Sequence, residues 1–310
     1  MTADRKGDGS VSVHPGPSRE PSPVSGRTAA APGTVPFSVQ SSASAFVAAR
    51  AEGRGALVGY LPVGYPSVPG SLAALKALCG EGGDGPGVDL VEIGLPYSDP
   101  MMDGPVIQRA GTRALERGVR TKDVFAAVEA VRSTGTPAVV MTYWNLVDRY
   151  GVDAFARDLA NAGGSGLITP DLIPDEADDW LAASEAHGLD RVFLVSPSST
   201  DERIVSTAKA ARGWLYATSV MGVTGTRSSS PTAAPDLVAR IRALAPDTLV
   251  GVGLGVSNGD QAADVCNYAD AVIVGSAFIK PLLAADDAGT PDDLTGLRAV
   301  LADLTAGVRR

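Results

Sequence analysis

The sequence predicts an α/β chain folded as a (β/α)8 TIM barrel, with an extra N-terminal helix and a disordered N-terminal tail. Three observations lead there. Eight short runs rich in Val, Ile and Leu recur beyond Ser41, as parallel strands buried on both faces require. Amphipathic stretches with helix-start signals alternate with them. The alternating part spans 41–310, and about 250 residues is an ordinary length for one such barrel.

Residues 1–40 come first and read differently. They contain 6 Pro, 5 Gly and 6 Ser and almost no large apolar residue. Such a segment cannot bury enough surface to offset its ordering entropy, so it is read as a tail and given no function. SASAFVAARA (42–51) is the extra helix, expected to plug or flank the barrel bottom before strand one. The strand runs follow as ALVGYLPV (56–63), VDLVEIGL (88–95), PAVVMTYW (137–144) and SGLITPD (165–171). RVFLVSP (191–197), WLYATSV (214–220), LVGVGLGV (249–256) and AVIVGSAF (271–278) complete the set. Between them, Pro105 opens PVIQRAGTRALERG and Gly118 closes it, while Thr121 and Thr200 precede two further helices. The competing fold is an open doubly wound sheet. It usually carries a G-x-G-x-x-G turn after its first strand, and Gly64-Tyr65-Pro66 is not one.

Composition excludes several function classes. At 45% hydrophobic and 20% charged residues, the chain is an ordinary soluble globular one. Its formal charge is -9; the tail holds four cations against three anions, leaving -10 on the other 270 residues. That balance argues against nucleic acid and anionic membrane surfaces as partners. No apolar run approaches the ~18 residues of a membrane span, and no export signal opens the chain. Only Cys79 and Cys266 occur, too few for a disulfide framework. A reduced, cytoplasmic protein is expected.

In a barrel of this kind, chemistry sits at the C-terminal ends of the strands. Glu92 lies inside VDLVEIGL, among apolar neighbours. Burying an unpaired carboxylate costs several kcal/mol, so the choice is a cross-strand salt bridge or a proton-transfer role. The strands are nearly free of Lys and Arg, which favours proton transfer, and desolvation would raise the pKa toward neutrality. The following loop adds Asp99 and Asp103; Asp103 precedes Gly104-Pro105, where a helix N-cap is the competing role. Glycines at the ends of strands six, seven and eight (222 and 225, 251, 253 and 255, 275 with Ser276) suggest a phosphate site of backbone amides. His14 and His187 are read as solvated, and no metal-ligand spacing, nucleophile elbow or Walker loop occurs. What remains is acid/base chemistry by carboxylates, with Tyr60, Tyr143 and Tyr216 as possible helpers, on a phosphorylated small molecule. A sugar-phosphate isomerase or a non-catalytic activator stays open on these grounds.

The run from Glu92 to Pro100, continued by Asp103-Gly104-Pro105, resembles the signature of the tryptophan synthase α subunit family. Gly222-Val223-Thr224-Gly225, Gly253-Leu254-Gly255-Val256-Ser257 and Gly275-Ser276 resemble its later turns, and MTYWNLVDRYG (141–151) and ITPDLIPDEA (168–177) its third and fourth strand ends. The resemblance runs from about Ala56 to Lys280. It implies retro-aldol cleavage of indole-3-glycerol phosphate to indole and glyceraldehyde 3-phosphate. Glu92 would be the general acid and base, Asp103 the acceptor for indole N1–H, and Tyr216 a neighbour of the reacting side chain. Tyr60, Met141 and Leu254 would flank the indole, with Thr224, Gly225, Gly255, Gly275 and Ser276 around the phosphate. It also implies no cofactor in this chain, and a β subunit carrying pyridoxal phosphate in an αββα heterotetramer that takes over the indole. A stand-alone indole-releasing lyase is the variant reading. Two positions depart from the family's common pattern: Tyr65 replaces an aspartate and Val106 a threonine.

Overall fold

The computed structural model describes residues 39–218, 233–253 and 255–310. Nearly all of the expected tail, and the sites assigned to Thr224, Gly225 and Leu254, lie outside them. Nine strands among the described residues are β1 (Ala56–Pro62), β2 (Leu90–Gly94), β3 (Ala138–Met141), β4 (Gly166–Ile168), β5 (Asp190–Val192), β6 (Leu194–Val195), β7 (Leu215–Thr218), β8 (Val250–Gly253) and β9 (Ala271–Val274). Every pairing between them is parallel, in the order β5-β4-β3-β2-β1-β9-β8-β7-β6. The two ends of that order, β5 and β6, are separated by Phe193 alone. They are two halves of one strand, so nine segments fill eight positions and the sheet closes. All eight expected strands are present, in a TIM barrel.

Twelve α-helices among the described residues accompany them, beginning with α1 (Ala43–Ala51), α2 (Val68–Leu78), α3 (Pro105–Glu116) and α4 (Asp123–Arg132). Then come α5 (Trp144–Tyr150), α6 (Val152–Asn161), α7 (Asp178–His187) and α8 (Asp201–Ala210). The last are α9 (Ala233–Leu244), α10 (Gly259–Cys266), α11 (Ser276–Asp287) and α12 (Thr295–Gly307). None is long and apolar enough to cross a membrane. Thr200 caps α8 as expected, its hydroxyl accepting the Arg203 N–H at 3.2 Å. Thr121 does not cap α4; the cap position is Lys122, and the Asp123 carboxylate instead accepts the Arg120 N–H at 2.7 Å. His187 is not simply solvated either, because its Nε2 meets Asp153 Oδ1 at 3.0 Å.

The core has two parts. Most buried residues lie between the sheet and the helices. A second cluster fills the barrel interior toward its base, where Phe46 and Ala49 of α1 pack with Val58, Leu90, Val139, Ile168, Val192 and Trp214. The extra helix is therefore a plug; burying a side chain such as Phe46 stabilises by about 1.5–3 kcal/mol. Polar latches hold this end. Asp190 accepts the Ser42 N–H and hydroxyl, both at 2.6 Å, and the Ser41 hydroxyl at 2.9 Å. Asp89 accepts the Leu57 N–H and pairs with Arg54, and Asp270 accepts the Val250 N–H and pairs with Arg50.

Candidate active site

The opposite end of the barrel gathers the candidate catalytic groups. Glu92 is the middle residue of β2, paired in register with Tyr60 on one side and Val139 on the other. It is 1% exposed, its Oε2 has no hydrogen-bond partner, and no ion pair reaches it among the described residues. The salt-bridge alternative is thereby removed. Burial, with a smaller contribution from Asp103, pushes the Glu92 carboxyl up to about 8. A group so placed holds its proton at neutral pH and can surrender it to a substrate atom.

Asp103 sits just before α3, whose cap position is Gly104 and whose first residue is Pro105. The cap role accordingly falls to Gly104, leaving the Asp103 carboxylate uncommitted to the helix. Burial raises it to about 6. Its loop is tethered twice: Gln108 Nε2 donates to the Asp103 carbonyl at 2.8 Å, and the Met102 N–H donates to Tyr143 Oη at 3.0 Å. Tyr143 in turn stacks on Tyr97, ring centroids 5.1 Å apart. Asp99, by contrast, is exposed and among the described residues pairs only with the neighbouring Ser98 hydroxyl.

Tyr60 and Tyr216 are both held far above the ordinary phenol range, first by burial and then by the charges of Glu92 and Asp103. The four groups thus share one desolvated space, with Met141 packed at its wall. The glycines explain how two tyrosines fit inside a barrel. A Cβ on Gly94 would collide with the Tyr60 hydroxyl, and one on Gly275 would stand 3.2 Å from its ring. A Cβ on Gly253 would lie 2.5 Å from Tyr216 Oη, and one on Gly251 2.9 Å from Trp214.

Gly251 and Gly253 make room for Trp214 and Tyr216, while Gly255 is exposed, with a φ of +68° and no atom of the described residues near its missing side chain. Gly255 follows β8, Gly275 follows β9, and Ser276 begins α11; β8 and β9 are directly paired. The sequence did not single out Leu194. It packs inside the barrel beside Tyr216, its register partner, and counting inward-facing residues by two from Val192 finds it.

Of the two departures from the family pattern, Tyr65 is 1% exposed and donates to Asp286 Oδ2 at 2.9 Å. Arg113 of α3 and Arg117 at its C-terminal cap reach the same carboxylate. Val106 packs against the core in the first turn of α3.

The sequence model of the tryptophan synthase alpha chain family matches residues 46–300. The chain belongs to that family. It is 59% identical over 265 residues to the tryptophan synthase alpha chain of Salinispora tropica, covering 86% of this chain and 96% of that one. The alpha chain of Mycobacterium marinum is 58% identical over 265 residues, covering 86% and 93%. A solved structure of Mycobacterium tuberculosis tryptophan synthase superposes with a TM-score of 0.80 at 57% identity, covering 88% of this chain and 99% of that one. As a tryptophan synthase alpha chain, this is an enzyme subunit of tryptophan biosynthesis, and the isomerase reading is set aside.

Proposed function

We propose that this alpha chain cleaves indole-3-glycerol phosphate to indole and glyceraldehyde 3-phosphate, with Glu92 and Asp103 as its two working carboxylates. The observation that carries the proposal is a buried Glu92 with a free carboxylate oxygen, protonated at neutral pH, inside the same space as Asp103.

The chemistry follows from which bonds must change. Glu92 gives its proton to indole C3, which weakens the bond from C3 to the side chain and leaves positive charge toward N1. Asp103 accepts the N1–H hydrogen bond and stabilises that charge. The resulting Glu92 carboxylate removes the proton of the side-chain hydroxyl. Its O–H electrons become the new carbonyl, the C–C electrons return to the indole ring, and Glu92 ends protonated as it began. No co-reactant is consumed.

Tyr216 borders the reacting side chain. Tyr60 and Met141 flank the indole with Leu254, and amides around Gly255, Gly275 and Ser276 hold the phosphate with Thr224 and Gly225. Separate holds on the two ends of the substrate would fix the scissile bond beside Glu92, an orientation effect worth several kcal/mol.

The family and the Mycobacterium tuberculosis tryptophan synthase support a β subunit as partner. We assign the chain to an αββα assembly in the cytoplasm, with pyridoxal phosphate held by the β subunit and none by this chain. By the family resemblance, the Asp103 loop is a closing element of the site. Indole release from indole-3-glycerol phosphate, measured with and without added β subunit, tests the proposal. Turnover that survives Glu92→Gln would overturn the assigned mechanism.

A further inference from the structure

An aromatic column runs through the barrel from its plugged base to its reacting end. Phe46 of the plug helix meets Trp214 with ring centroids 5.1 Å apart, and Trp214 meets Tyr216 at 5.8 Å with planes 29° apart. Trp214 and Tyr216 stand two positions apart in sequence, one just before β7 and one on it, so both side chains face inward. Facing them, Gly251 and Gly253 stand two positions apart on β8, each lacking the side chain that would occupy the ring's place.

The base of the column is fixed by hydrogen bonds as well as by packing. Trp214 Nε1 donates to Ser42 Oγ at 3.1 Å, and Ser42 Oγ donates to Asp190 Oδ2 at 2.6 Å. All three residues are buried, Asp190 and Ser42 completely. Asp190 receives the Ser42 N–H and the Ser41 hydroxyl too, so the acceptor cannot turn away without stranding several donors. The far end of the column has no such anchor. The Tyr216 phenol has no hydrogen-bond partner among the described residues, and its neighbours in the stack and in β8 are what define its place.

We infer that Trp214 is a positioning residue, through which the Ser42–Asp190 latch at the barrel base sets the ring of Tyr216 beside Glu92. Ordinary core packing would require a large apolar side chain at 214 and nothing more. A positioning role requires, in addition, the indole N–H and its anchor, because these choose one orientation of the ring. The inference rests on the reading of Tyr216 as a neighbour of the reacting atoms, and its test separates the two.

Two variants probe it. Ser42→Ala removes the anchor without deleting any ring; Trp214→Phe keeps an aromatic ring and removes the N–H. Both are made in full-length chain carrying 3-fluorotyrosine, with the Tyr216 resonance identified by its loss in Tyr216→Phe. The expected result is one sharp Tyr216 signal in the wild type that broadens or splits in both variants, Ser42→Ala serving alone where Trp214→Phe does not fold. In indole release, kcat falls about tenfold at unchanged KM, because sub-ångström misplacement near reacting atoms acts on the barrier and not on binding. A single sharp Tyr216 signal in a folded variant, or a broadened signal with kcat intact, overturns the inference. Broadening in a protein whose wild type cleaves no indole-3-glycerol phosphate overturns the proposed reaction and leaves the positioning of Tyr216 standing.

Discussion

The two ends of the barrel each bury a carboxylate, and the two are treated in opposite ways. Asp190 at the base is fully buried and surrounded by donors from Ser41 and Ser42. Glu92 toward the mouth is 1% exposed and has an oxygen with no partner among the described residues. Burial costs both groups, and in both it opposes ionisation. The partners decide the rest. A satisfied buried acid fixes a chain segment in place, while an unsatisfied one stays available to whatever enters the site.

That contrast can be broken most sharply at Glu92. Glu92→Gln removes the group assigned both to give and to take the proton, and kcat should fall by about 10²–10⁴-fold. The same variant should unfold at an equal or higher denaturant midpoint than the wild type, since it relieves an unpaired buried acid. Asp103→Asn comes next. Losing a charged acceptor for the developing positive charge should cost about 10²-fold in kcat, read out by indole release, with little change in unfolding.

At the base the expected effect is on stability. Asp190→Ala strands the Ser41 and Ser42 donors and should destabilise by about 3 kcal/mol in equilibrium denaturation. Its kcat should fall far less than that of Glu92→Gln. An Asp190→Ala protein of wild-type stability would show that the latch contributes nothing to holding the plug helix.

The pH dependence sharpens the same comparison. Glu92 titrates near 8 in the folded chain against 4.5 for an ordinary glutamate, so the folded state binds the proton more tightly. Wild-type stability should therefore fall as pH rises from about 4.5 to about 8; in Glu92→Gln the part of that loss above about 6 should disappear, while the part owed to Asp103, itself raised to about 6, remains. Turnover needs Asp103 ionised and Glu92 protonated, so the rate should be greatest between about 6 and about 8. Asp103→Asn should flatten the acid limb. The smallest effect should come from Arg109→Ala, which removes an exposed pair with Asp287 on the outer surface; exposed pairs contribute little, and both unfolding and turnover should stay near wild type.

Much of this was legible in the sequence, for identifiable reasons. Strands buried on both faces leave continuous apolar runs, which is why all eight could be counted. A charge in the middle of such a run, Glu92, stands out for the same reason. The glycines were only half legible. Gly251 and Gly253 sit at a strand end as phosphate-loop glycines do, yet they answer to Tyr216 and Trp214 on the next strand. That need appears only when β7 and β8 are laid in register. The Asp190 latch was not legible, because its donors lie 148 and 149 residues earlier in the chain. Thr121 failed as a cap because the Asp123 and Val124 amides it would have received bond the Arg120 and Thr121 carbonyls instead.

The meeting of β5 and β6 across Phe193 has one more consequence. An open sheet of β-branched strands ends in rows of unsatisfied amides and carbonyls, onto which a neighbouring chain can add a strand of its own. Here the first and last strands are the same strand, and the sheet has no outermost member. Self-association through strand addition is closed to the folded molecule, so contacts with other chains fall to its helices and loops.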